Sequence, residues 1–281
     1  MVSSEQRVIV AYDGSADADR GLDWAIVYAR VRGLPIEVYS SSGDLEYLPE
    51  RTAEQADGLV ESWLETAATR LKDAGAGDWT TTATKGKVVP ELIEASRSAS
   101  LLVVGAQGHG ILGGMLLGSV SQHLTRHAHC PVVVVRGQHA AASNRVVVGV
   151  DGSEASLTAL RFGFEYADLV RGSVAAVHGR STNAMNGPWD VDVAPAVAEE
   201  MDSAQRLLAE AVAGLREEFP DVPLELQPMP VAPIRALDDA SLTASLIVVG
   251  TRGRGGFMGL LLGSVSAGVL AHAQCPFAVV R

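Results

Sequence analysis

Two glycine-rich stretches of this chain are spaced alike. The first reads Gly105-Ala106-Gln107-Gly108, then nine residues, then Gly118-Ser119. The second reads Gly250-Thr251-Arg252-Gly253, then nine residues, then Gly263-Ser264. Both fit the pattern G-x2-G-x9-G-[ST], and the chemistry open to such a stretch is anion binding. Glycine lets the backbone turn through φ > 0 and approach a ligand to hydrogen-bonding distance. A helix opening at Gly118-Ser119 or Gly263-Ser264 adds free N–H groups and a positive dipole end, both of which favour phosphate. The serine hydroxyls can donate as well. Each stretch is preceded by an acidic residue, Asp13 in Asp13-Gly14-Ser15 and Asp151 in Asp151-Gly152-Ser153. A carboxylate there can accept from a ribose hydroxyl or an amino group. Glycines after a strand can also be plain turn residues, and Asp-Gly-Ser is a common helix entry. The identical spacing in both stretches favours binding over structure alone.

The elements that must position these residues also come twice. Residues 7–15 recur as 145–153, an offset of 138, and residues 101–105, 116–121 and 130–136 recur as 246–250, 261–266 and 275–281, an offset of 145. Such ordered self-similarity indicates a repeat of one unit. The expected domains are residues 1–138 and 143–281, joined by the polar, Ala-rich stretch 137–144. Within each copy, short apolar runs suited to strands buried on both faces alternate with helical stripes. In copy one, strands are expected at 8–12, 36–39, 80–83, 101–104 and 132–135, and helices up to Gly33 and over 52–74, 90–99 and 120–128. In copy two, strands are expected at 146–150, 175–178, 224–227, 246–249 and 277–280, and helices over 157–170, 196–218, 234–243 and 265–273. Alternating strand and helix means an α/β, doubly wound parallel sheet with helices on both faces. Ligands of such sheets bind beyond the carboxyl ends of the strands, where both motifs fall.

Composition narrows the function. The chain of 281 residues is 47% hydrophobic and 20% charged, and its net charge is −11. That acidity disfavours nucleic acid as a partner. It does not exclude a small phosphate held by backbone N–H groups. No apolar run reaches the ~20 residues of a membrane span, and residues 1–7 lack the apolar core of a signal peptide, so a soluble cytoplasmic protein is expected. Cys130 and Cys275, each followed by proline, form neither a disulfide framework nor a zinc pattern. Residues 108–113 imitate the dinucleotide fingerprint G-x-G-x-x-G. They follow the fourth strand rather than the first, however, and copy two has Met258 at the last glycine position. No G-x4-G-K-[ST] is present, so the loop is not a P-loop.

With Asp-Gly-Ser after the first strand, G-x2-G-x9-G-[ST] after the fourth and a Cys-Pro strand at the end, the chain resembles the universal stress protein family over essentially its whole length, twice. More narrowly, it looks like the ATP-binding tandem type common in actinobacteria. The resemblance implies two five-stranded parallel sheets of order 3-2-1-4-5, each holding ATP beside its loop, with Mg2+ admissible. It implies ribose contacts for Asp13 and Asp151, and base-side positions for Ala11 and Gly149. The family's binding residue just after the second strand would map to Ser40 and Gly179. The phosphates would lie against Gly105, Gly108, Gly118 and Ser119 in copy one and Gly250, Gly253, Gly263 and Ser264 in copy two. Val120 and Val265 would contribute backbone. In that family the fifth strand joins domains, so pairing of the copies through those apolar edges and a homodimer are expected.

The copies also depart from one another. Ala106-Gln107 stands where copy two has Thr251-Arg252, and copy two adds Arg254. Copy two is therefore expected to hold triphosphate at least as tightly, with Arg252 at the site. His123, His127 and His129 cluster on one helix, but copy two keeps only His272, so a solvated face is expected rather than a metal site. Trp189 and Asp190 are read as a flap or subunit contact. The expected function is ATP binding at two sites per chain, with a sensing or regulatory role in stress or growth arrest. No metal-holding carboxylate set, base or catalytic cation marks a catalytic centre. The alternative is a slow ATPase or a nucleotidyl-transferase-like enzyme, but the Ser-Gly-Gly-x-Asp-Ser or His-x-Gly-His signature of such enzymes is missing.

Overall fold

The computed structural model describes residues 6–43, 52–108, 117–137, 144–180, 194–254 and 261–281. The G-x-G-x-x-G look-alike from residue 109 on, most of the linker, and Trp189 with Asp190 lie outside the described residues. The chain divides into two compact units, Met1–Gly137 and Gln138–Arg281.

Unit 1 runs β1 (Val8–Ala11), α1 (Ala16–Arg32), β2 (Ile36–Ser41), α2 (Ala53–Asp73), β3 (Trp79–Thr84), α3 (Val88–Ala95), β4 (Leu101–Gly105), α4 (Ser119–His127) and β5 (Val132–Val135). Its sheet is parallel, in the order β3-β2-β1-β4-β5. Unit 2 runs β6 (Arg145–Gly149), α5 (Glu154–Leu169), β7 (Ser173–Gly179), α6 (Ala194–Glu218), β8 (Leu224–Met229), α7 (Pro233–Ser241), β9 (Leu246–Gly250), α8 (Ser264–His272) and β10 (Phe277–Val280). Its sheet is parallel too, in the order β8-β7-β6-β9-β10. Both orders reverse between the first and fourth strands, which opens a crevice at their carboxyl ends.

Burial explains why these runs are strands. Val8, Ile9 and Val10, then Leu101, Leu102 and Val103, are fully inaccessible, as are Val146, Val147 and Val148. A strand that is apolar at consecutive positions must be covered on both faces. In unit 2 the two covers can be identified. A side chain on Gly163 of α5 would meet Val148 Cγ2, whereas one on Gly149, the next residue along β6, would meet Leu237 of α7 at 3.1 Å. Neighbouring strand residues point to opposite faces, so α5 and α7 lie on opposite sides of the sheet. Leu160, Phe164 and Leu208 fill one such layer, as Leu22 and Leu71 do in unit 1.

The helix boundaries follow from their caps. Thr52 and Gln55 form a reciprocal capping box at the start of α2. Gly33 ends α1 at φ 64°, in the left-handed region glycine tolerates. Several boundaries differ from the expectation: β2 and β7 run further, α5 starts earlier, at Glu154, and α3 stops at Ala95 instead of running to residue 99. The buried Ser96 hydroxyl donates to the Ile93 carbonyl at 2.6 Å and accepts the His129 N–H at 2.8 Å. Ser241 accepts Gln274 N–H in the same way at 3.0 Å and ends α7. A serine that bonds locally and to a neighbouring segment competes with helix continuation. Among the described residues no helix is long and apolar enough to cross a membrane.

Candidate functional site

Each candidate site starts where the first strand of its unit ends. Two residues beyond β1, Asp13 Oδ1 accepts the Ser15 N–H at 3.0 Å. Beyond β6, Asp151 Oδ1 accepts the Ser153 N–H at 3.0 Å and its hydroxyl at 2.6 Å. The glycines between them sit at φ 74° and 75°, angles that L side chains rarely adopt. Ser15 and Ser153 then cap α1 and α5, accepting from Ala18 N and Ser156 N at 3.2 Å each. The Ser15 hydroxyl also donates to the Gln107 carbonyl at 3.1 Å, tying the turn to the glycine loop. In unit 2 the hydroxyl proton is drawn mainly to Asp151, and the Arg252 carbonyl lies at 3.4 Å.

The three glycines of each loop have three different reasons to be glycine. A Cβ on Gly105, the last residue of β4, would come within 2.8 Å of Ala18 N, and one on Gly250 within 2.7 Å of the Ala155 carbonyl carbon. The first glycine is therefore required by the helix start that packs on the strand end. A Cβ on Gly108 or Gly253 would run into Asp13 Oδ2 or Asp151 Oδ2. The second glycine lets the loop lie directly on the rim carboxylate. Gly118 and Gly263 close the loop by donating N–H to the carbonyls of Ala106 and Thr251 at 2.7 Å.

Gly118 and Gly263 have ordinary extended angles, so no strain demands glycine there. What they contribute is the lack of a capping side chain. Ser15, Thr52 and Ser153 each give their helix a side-chain acceptor, whereas α4 and α8, like α3 and α7, receive none. First-turn N–H groups left in that state are anion donors. Ser119 and Ser264 are exposed at this end, with Val120 and Val265 half-buried beside them.

Ala11 and Gly149 end β1 and β6, one residue before the expected strand ends, and Ser40 and Gly179 are not equivalents. Ala11 stands opposite Tyr39, and Gly149 opposite Val177. The unit 2 counterpart of Ser40 is therefore His178, and that of Gly179 is Ser41. Both residues lie inside their strands rather than after them. Ser40 is 1% exposed and its hydroxyl has no hydrogen-bond partner among the described residues, whereas His178 Nδ1–H donates to the Val150 carbonyl at 2.6 Å. Gly179 abuts α7, where a Cβ would lie 2.7 Å from Pro233 Cα, and Ser41 Oγ donates to the Gly86 carbonyl at 2.5 Å.

Four residues of the sites are not apparent from motif spacing alone. The buried Ser121 and Ser266 hydroxyls donate to loop carbonyls: Ser121 to Gly118 at 2.9 Å and Ser266 to Gly250 at 2.7 Å. Their recurrence within the repeated block is a usable signal. Asp17, 8% exposed, accepts the Gln107 N–H at 3.0 Å and pairs with Arg20. Its counterpart is Ala155, so the repeat conceals it. Trp63 of α2 packs its indole against Gly14.

The electrostatics of unit 2 centre on Asp151. Burial pushes its carboxyl up, but hydrogen bonds from Ser153 and from the Arg254 N–H outweigh this and hold it below the ordinary carboxylate value. The Arg254 N–H meets Oδ2 at 2.9 Å, and the Arg254 guanidinium donates to the Gly152 carbonyl at 3.3 Å. Arg252 and Arg254 are both exposed. Away from the sites, His123 stacks on His127 at 6.3 Å, and His123 Nδ1–H donates to the Ser119 carbonyl at 2.8 Å. Among the described residues no group of three or more His, Cys, Asp or Glu is placed to hold a metal.

With this geometry in hand, the comparisons with known proteins agree. The model of the universal stress protein family matches residues 5–136 and again 143–281. A universal stress protein of Mycolicibacterium smegmatis is 34% identical over 297 aligned positions, covering 99% of this chain and 98% of its own. One of Mycobacterium tuberculosis is 33% identical over 292, covering 98% and 96%. The crystal structure of a universal stress protein from Archaeoglobus fulgidus superposes with a TM-score of 0.70 over 99% of both chains at 20% identity, a likeness of fold. Two tandem matches, each containing one complete glycine loop and its rim aspartate, lead to one conclusion: the chain belongs to the universal stress protein family.

Proposed function

We propose that each unit binds one adenine nucleotide, ATP foremost, so that the chain carries two sites and serves in the cytoplasm as a sensor or regulator under stress or growth arrest. One observation carries this reading. In both units a glycine loop lies on the rim carboxylate, with no room for a Cβ, and then opens a helix whose first turn has no side-chain cap. The carboxylate suits a ribose hydroxyl, and the uncapped helix end suits phosphate. Mg2+ is admissible as the counter-ion of a triphosphate. Phosphoryl transfer usually needs a metal-holding carboxylate, a positioned base and a cation acting together. The one rim carboxylate of each unit is already engaged by its own turn, so regulation by occupancy fits better than turnover.

The test is direct. Protein purified without added nucleotide is heat-denatured, and the supernatant is run on an anion-exchange column. Nucleotide-free protein is also melted with and without ATP. Co-purifying adenine nucleotide, or a rise in Tm with ATP, is the expected result. The absence of both signals would overturn the reading. Joining of the units through their fifth strands, and a homodimer, belong to the same proposal and are read by light scattering after size exclusion.

A further inference from the structure

We infer that the two sites select different phosphate states: unit 2 is a triphosphate site, and unit 1 accepts adenosine mono-, di- and triphosphate with little discrimination. This rests on the nucleotide-binding reading above and deepens it.

The argument lies in what covers the same backbone in the two units. Over the Asp-Gly-Ser turn of unit 1 stands the Trp63 indole, delivered by α2 and pressed so closely on Gly14 that a Cβ there would lie 2.5 Å from Nε1. Over the corresponding turn of unit 2 stands the Arg254 guanidinium, with Nη2 at 2.9 Å from a Cβ built on Gly152 and Leu207 of α6 behind it at 3.4 Å. The apolar cover from the second helix is thus the Trp63 indole in unit 1 and the smaller Leu207 in unit 2, where the Arg254 guanidinium lies over the turn as well. That cation comes from the phosphate loop itself. Its side chain is exposed and, among the described residues, is held by a 3.3 Å hydrogen bond to a carbonyl. Exchanging that weak bond for two charge-assisted bonds to a phosphate is favourable, because guanidinium presents a fork matched to phosphate oxygens.

A second, independent difference points the same way. In unit 1 the buried Asp17 carboxylate accepts the N–H of loop residue Gln107. In unit 2 the corresponding residue is Ala155, and the corresponding loop residue is the exposed Arg252. Unit 1 therefore places the Asp17–Arg20 ion pair against its loop, whereas unit 2 places two guanidinium groups on its own. Residues 105–118 contain no Lys or Arg at all. Each added phosphate brings negative charge, which the cations of unit 2 attract and the ion pair of unit 1 does not reward. The uncapped helix end common to both units gives each of them a share of phosphate affinity.

The full chain is used for the test, with one site blocked at a time by Gly108→Val or Gly253→Val. ATP, ADP and AMP are titrated into each by calorimetry. The ATP-to-AMP affinity ratio is expected to be at least tenfold higher in the Gly108→Val chain, where unit 2 remains open, than in the Gly253→Val chain. In a chain with both loops intact, Arg254→Gln with Arg252→Gln should lower ATP affinity at the tighter site about tenfold while changing AMP affinity less than twofold. Raising the salt concentration should weaken ATP binding more at unit 2 than at unit 1. Equal ratios in the blocked chains, or a ratio unmoved by the arginine substitutions, overturn the inference and leave nucleotide binding standing. If no adenine nucleotide binds, both fall together.

Discussion

The two units keep the same backbone and differ in what stands over it. Both place a left-handed glycine in the Asp-Gly-Ser turn, a glycine against the rim carboxylate, a loop closed by N–H to carbonyl at 2.7 Å, and a buried serine under the loop. Above this shared floor, Trp63 of unit 1 gives way to Leu207 with Arg254 in unit 2, and Asp17 gives way to Ala155. Positions where backbone meets backbone or carboxylate admit one solution, because a single Cβ is too large. Positions that face the crevice admit several, because a side chain can be exchanged there without moving the chain. The repeated residues therefore describe how the loop is built, and under the proposed function the unlike ones set what each site prefers.

The most severe way to break the comparison is to fill its shared floor. Gly108→Val and Gly253→Val should each remove one site completely, lowering the calorimetric stoichiometry by one ATP per chain, and the double variant should bind none. Next in size is the loss of packing that only one unit possesses. Phe164, fully buried and 5.8 Å from the Phe219 ring, has Ile26 as its unit 1 counterpart. Phe164→Ala should destabilise unit 2 by about 3–5 kcal/mol. Of the four tryptophans, Trp24, Trp63 and Trp79 lie in unit 1. Tryptophan fluorescence should therefore melt near its original temperature in this variant while circular dichroism shows an earlier transition.

Asp17→Ala sharpens the contrast from the other side, because unit 2 already has alanine there. Removing a buried acceptor from the Gln107 N–H and from Arg20 should cost about 1–3 kcal/mol, visible as a lower Tm in the fluorescence melt. Ala155→Asp, by comparison, introduces a carboxylate with no arginine at the position of Arg20, where Thr158 stands. The smallest effect is on acid stability. The Asp151 carboxyl is held below its ordinary value near 3.8. The stability it adds is therefore fully present above that value and is lost as the pH falls through the lower, folded one. Acid titrations of unit 2 should show a shallower decline below about pH 4 in Asp151→Asn than in the native chain.

Much of this was legible from residues alone. The strand runs and the double G-x2-G-x9-G-[ST] spacing set out two α/β units, because strands buried on both faces and glycines at fixed offsets are local signals. The end of α3 was not legible, because Ser96 stops the helix by bonding to His129, a partner 33 residues away. The pairing of Ser40 with Gly179 failed for a related reason. Strand register is set by ladder pairing, which places His178, not Gly179, opposite the same neighbours as Ser40. Asp17 escaped notice because the second copy has Ala155 in its place, so the repeat does not mark it. The reason for each loop glycine also emerged only in three dimensions, since close approach to a helix start and close approach to a carboxylate look identical in a sequence.

The central claim is that one loop geometry, built twice, makes two nucleotide sites. Calorimetric titration of ATP into the full chain, stripped of nucleotide, tests it most directly. The account predicts two ATP bound per chain, with unequal affinities. A stoichiometry of zero, or of one that persists when either Gly108 or Gly253 is replaced by valine, would contradict it.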